Sequence, residues 1–147
     1  VEILKAPPTR EQKGPRVQYS IRPIALGDSA DLVGYSFRGR GPIAPGTVYD
    51  ATLSYRSRKR QAGRFGVKIE LLNNGKPVGE RRVEVRTQRE PVQRYLLEKD
   101  EAFWAVAEVQ IPLGLNAQNV EMLATLEAGD PLAGEPEPVP PPLRLGP

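Results

Sequence analysis

Cysteine and histidine are both missing from the 147 residues. Without Cys there is no disulfide, thiolate nucleophile or thiolate zinc site. Without His there is no imidazole base, no serine triad of the common kind and little transition-metal chemistry. No window approaches the length of apolar run that a membrane-spanning helix needs. Met and Trp occur once each, Arg outnumbers Lys 15 to 6, and Asn occurs four times, a bias that suits a thermostable protein. Carboxylates remain as the main reactive groups, in Glu98, Asp100 and Glu101 and around a turn in Glu70, Glu80 and Glu84. Glycoside hydrolysis needs two carboxyls set across a cleft, one with a raised pKa, and no spacing here singles out such a pair. Asp28 and Asp31 around Ser29 lack an EF-hand loop pattern and read as a polar turn. The expectation is a non-enzymatic protein of one domain without metal or cofactor.

Proline organises the chain. Ten of the 16 prolines lie in residues 1–15 and 131–147, and Pro140-Pro141-Pro142 removes three successive amide donors. Such a stretch favours an extended polyproline path and cannot enter a helix or an inner strand. The division expected is an N-terminal arm over 1–15, a core over 16–130 and an acidic C-terminal arm over 131–147. Ile3, Leu4, Leu143 and Leu145 are apolar residues placed along these arms and read as anchors for another surface. At about 3.1 Å per residue a fully extended tail reaches roughly 50 Å.

Between the arms, apolar residues alternate with period two. Val17, Tyr19 and Ile21 share one parity, and Ile24 and Leu26 the other, which places a bulge or bend at Pro23. Val33, Tyr35 and Phe37 form a second set, Tyr49, Ala51, Leu53 and Tyr55 a third, and Phe65, Val67, Ile69 and Leu71 a fourth. Asn73-Asn74-Gly75-Lys76 follows as a tight hairpin turn, with Val78, Val83 and Val85 beyond it and a bulge expected near Gly79. Residues 92–103 fit either a strand through Tyr95 and Leu97 or a short helix opened by Glu90-Pro91, the helix being favoured, and 117–128 fit helix by composition but strand by alternation, the strand being favoured. Phe103 to Ile111 and Val120 to Leu126 complete the strands. The fold class is therefore mainly β, a single antiparallel sandwich or barrel with at most one short helix and two proline-rich arms.

Charge is divided along the chain: residues 1–97 carry a net +10 and residues 98–147 a net −7. The basic peak is Arg56, Arg58, Lys59, Arg60 and Arg64; Glu135 and Glu137 mark the acidic tail. These charges pair either within one chain or between copies, the tail of one meeting the basic tip of the next. Nucleic acid is disfavoured, because the basic loop has no aromatic residue and no module signature.

Ala44-Pro45-Gly46-Thr47-Val48-Tyr49 followed by Leu53-Ser54-Tyr55 resembles the turn and aromatic strand of jelly-roll carbohydrate-binding modules. That resemblance implies sugar stacking on exposed aromatics, with Tyr35, Tyr55 and Trp104 as candidates, and an extracellular or periplasmic location; Tyr49 and Tyr55 share the parity of Leu53 and read rather as core. The layout of the whole chain, a small β core between long arms with opposed charge, resembles the capsid decoration (cement) proteins of tailed bacteriophages from hot environments. This second resemblance implies a structural protein of the virion surface that forms a homo-oligomer such as a trimer and docks on a capsid shell through its arms.

Overall fold

The computed structural model describes residues 15–39, 46, 48–62, 65–87, 96–110, 120–129 and 137–146. They form eleven strands: β1 (Tyr19–Leu26), β2 (Ala30–Gly39), β3 (Val48–Ser57), β4 (Gln61–Ala62), β5 (Phe65–Asn73), β6 (Lys76–Glu84), β7 (Arg86–Thr87), β8 (Leu96–Leu97), β9 (Ala102–Gln110), β10 (Val120–Ala128) and β11 (Glu137–Leu145). Two antiparallel sheets pack face to face, a five-stranded one of order β1-β2-β3-β9-β7 and a four-stranded one of order β11-β10-β5-β6. β4 and β8 make a separate short pair. The fold is a mainly-β sandwich.

Alternation explains the layers. Tyr49, Ala51, Leu53 and Tyr55 of β3 and Phe103, Ala105, Ala107 and Val109 of β9 point into the sandwich, where they meet Val67, Ile69 and Leu71 of β5 and Met122 and Leu126 of β10. Phe103 stacks on Tyr55 from its own sheet at 5.2 Å and on Phe65 from the facing sheet at 5.7 Å, so aromatic contacts join the two layers. Each large apolar side chain removed from water in this way contributes roughly 1.5–3 kcal/mol against the entropy of ordering the chain.

Irregularities re-aim particular side chains. The β1–β2 register shifts between Ser20 and Ile24, bringing both Ile21 and Leu26 inward despite their opposite parity, as Pro23 requires. The β5–β6 register shifts around Val78, next to Gly79. At the hairpin tip Asn74 and Gly75 take φ values of 52° and 81°, the two left-handed residues of a type I′ turn between Asn73 and Lys76. At Val85, whose amide donates to the Phe65 carbonyl, the chain leaves the four-stranded sheet, and β7 then joins the five-stranded one beside β9.

Three expectations are corrected. Residues 96–97 and 102–103 are strand with a turn at 99–100, so the described part of 92–103 is not a helix; β8 pairs with β4 where helical spacing of Val92 and Leu96 suggested a turn of α-helix. Val33 is not an inward member of β2: the β2–β3 register shifts between Leu32 and Gly34, and Leu32 takes the core position. The tail from Glu137 is not a reaching limb. It pairs with β10 as edge strand β11, with a register shift across Pro140, Pro141 and Pro142, so the missing amide donors fall at an edge and an irregularity, where they are tolerated. The N-terminal arm lies outside the described residues, apart from Pro15.

Candidate functional site

The basic tip belongs to an end of the sandwich where three connections meet. Arg58 lies 3.7 Å from Asp31, Lys59 is 3.2 Å from Asp28 and Arg60 is 3.5 Å from Glu98. Backbone bonds tie the same segments together: the Arg58 amide donates to Ser29 O (2.9 Å), and the Asp100 amide donates to Ser57 O (2.8 Å). Gln61 Nε2 donates to both Ser29 O and Ser57 Oγ, closing the network. The hydrogen bond and charge of Lys59 hold the Asp28 carboxyl below the usual carboxylate range. These cations are matched by acids of their own chain. Arg64, Glu135, Ile3 and Leu4 lie outside the described residues, and Glu137 is exposed opposite Ala128. Leu145 is only 1% exposed and Leu143 is half-buried against the chain's own core, so neither is an anchor for a partner.

Two of the three aromatic candidates are also core. Tyr55 is buried among aromatic and aliphatic neighbours, and desolvation pushes its hydroxyl far above the ordinary tyrosine range. Tyr35 is buried beside Tyr19, and its hydroxyl donates to Gly146 O at 2.9 Å, pinning the end of β11 to the five-stranded sheet. Burial raises its pKa too, as it does for Tyr49, which stacks on Phe37 at 4.7 Å. Trp104 differs. Its neighbours Phe103 and Ala105 are buried, so the half-buried indole stands on the opposite, outward face of β9.

Strand register supplies its surroundings. Trp104 faces Ser54 of β3 and Arg86 of β7, directly opposed positions with Cβ atoms about 4.5–5.5 Å apart. The next row is Ser36, Thr52 and Val106, and the row after it Arg38, Asp50 and Glu108. Val106, 42% exposed, is the large apolar residue most open to water among the described residues. At the β2 end the strip is bounded by the segment that precedes β1. A Cβ on Gly34 would meet Val17 Cγ2 at 2.7 Å, so only glycine allows Val17 to lie against β2, while the Gln18 amide donates to Ser36 Oγ at 2.6 Å. The result is a shallow strip of Trp104, Val106, Ser54 and Thr52. Sequence reading had included Trp104 but not its companions. Their even numbering, out of phase with the core residues of the same two strands, was the signal that places them together.

The outer face of the four-stranded sheet is built otherwise. Arg82 bonds Glu127 at 3.1 Å and approaches Glu80 at 3.6 Å, Lys68 bridges Glu70 and Glu80 at 3.3 and 3.8 Å, and Arg144 makes a two-pronged contact with Glu121 at 2.7 and 3.0 Å. That face satisfies itself.

No family model and no curated protein matches the chain. Among solved structures, the C-terminal domain of Wzt superposes with a TM-score of 0.51 at 13% identity, covering 88% of this chain and 80% of that one. The likeness is one of fold. It shows the sandwich arrangement independently of the residues that line either outer face.

Proposed function

We propose that the protein is a non-catalytic glycan-binding module whose binding surface is the outer strip of the five-stranded sheet. The observation that carries this reading is the placement of Trp104 outward, in register with Ser54 and one row from Thr52 and Val106. A pyranose ring presents C–H groups on its faces and hydroxyls around its rim. An indole face takes the first, and serine and threonine hydroxyls, each able to donate and accept, take the second. A flat strip lets a chain of sugars lie along it, and a site on strands keeps these side chains fixed. The solved-structure likeness supports the scaffold. Affinity electrophoresis in gels cast with polysaccharides tests the proposal: retardation is expected for the native protein, and Trp104→Ala should abolish it while Tyr35→Phe should not. Undiminished retardation of the Trp104 variant would overturn it.

Val106 gives a second reading a footing, because an exposed apolar side chain beside an indole also suits a protein partner. In that case the capsid-decoration layout applies, with this face rather than the tail as the contact. Light scattering separates the two: a mass that rises with concentration and returns to monomer on Val106→Asp, without polysaccharide retention, would favour assembly.

A further inference from the structure

The cations that flank Trp104 bear on what kind of glycan the strip takes. Arg86 stands directly opposite the indole on one side. Arg56 lies on the other, opposite Ala102 and therefore diagonal to Trp104 at about 7–8 Å. Among the described residues neither has a carboxylate partner, although Arg58, Lys59, Arg60, Lys68, Arg82 and Arg144 all do. Asp31, the acid in register with Arg56, is 3.7 Å from Arg58 instead. Two guanidinium forks thus border the one outward indole, on the sheet face where the ion pairs that cover the opposite sheet are not repeated.

We infer that the strip recognises an acidic glycan, a sugar ring stacked on Trp104 with its carboxylate held by Arg86 and Arg56. The inference rests on the glycan reading above and adds the charge of the ligand. A guanidinium donates two parallel N–H bonds to a carboxylate, which fixes orientation as well as adding attraction. The far end of the strip carries Asp50 and Glu108 beside Arg38, so the field changes along its length. A nucleic acid, with a phosphate at each step, would run its backbone over those two acids. A glycan with carboxylates at intervals can place one at the arginines and neutral hydroxyls elsewhere.

The test compares retardation of the full chain in polygalacturonate and in neutral mannan at low and high ionic strength. Four variants are included: Trp104→Ala, Arg86→Gln, Arg56→Gln and Lys76→Gln, the last an exposed cation at the hairpin tip of the other sheet. Binding to polygalacturonate should exceed that to mannan by about tenfold, Arg86→Gln should lower it by a similar factor, and salt should weaken only the acidic interaction. Lys76→Gln should bind as the native protein does. Equal binding to both polymers, lost in Trp104→Ala, would overturn the acidic inference and keep the glycan reading. An equal loss in Lys76→Gln and Arg86→Gln would also overturn it, by reducing the effect to diffuse charge. No retention by any polysaccharide, or stronger binding to oligothymidylate, would overturn both.

Discussion

The two outer faces of the sandwich use the same strand geometry for opposite ends. On the four-stranded sheet, acids and bases alternate across β6, β5, β10 and β11, so that Lys68 and Arg144 each reach a carboxylate of a neighbouring strand and Arg82 reaches across β5 to Glu127 of β10. Exposed pairs of this kind add little stability singly, but they leave no surface seeking a partner. On the five-stranded sheet, the corresponding positions of β3 and β9 hold Ser54, Thr52, Trp104 and Val106, which cannot satisfy one another in that way. A charged lattice keeps a sheet face in water and away from other sheets. An indole among hydroxyls exposes area that a ligand can cover.

The largest effect expected on this comparison comes from its edge. Ending the chain at Gly129 removes β11, with the buried Leu145 and the Tyr35 hydrogen bond to Gly146, and should unfold the domain at ordinary temperature. The milder Leu145→Ala should cost about 2–4 kcal/mol in urea titration. A stable core after truncation would mean that the tail is an arm after all. Second, Thr52→Glu should eliminate polysaccharide retention, while Thr125→Glu on the paired face should leave it intact. Neither is expected to move the melting temperature by more than about 4 °C. Third, the core between the faces sets a pH limit. Burial raises the Tyr35, Tyr49 and Tyr55 pKa values above that of an unfolded tyrosine. The folded chain then holds protons that the unfolded chain releases, so stability is full below about pH 10 and falls as pH rises further. Urea midpoints between pH 8 and 11 should show that decline, with a shallower slope in Tyr55→Phe. The smallest effect is expected from Arg82→Gln, about 1 kcal/mol, because it leaves the nearly buried Glu127 carboxylate without its close cation. Binding should not change.

Alternation made most of this architecture readable. The inward sets on β3, β5, β9 and β10 follow from residue parity alone, and the Asn-Gly turn and the shifts at Pro23 and Gly79 follow from backbone chemistry. Strand β11 was hidden because proline argues locally against pairing, whereas an edge strand needs donors on one side only, and β10 supplies the partner from elsewhere in the chain. Helix was expected near residue 96 because β8 is only two residues long, too short for a period of two to register. Val33 misled because a bulge changes which residue faces inward without altering composition. Trp104 was picked out as an aromatic, but Arg86 could be set beside it only once the β7–β9 register was known.

The crossing at Val85 carries a mechanical consequence. Because β7 follows β6 after the single residue Val85, a load on either strand passes along covalent backbone into the opposite layer. β6 and β7 are the edge strands of their sheets, so on this side the margins of the two leaves are joined covalently and move together.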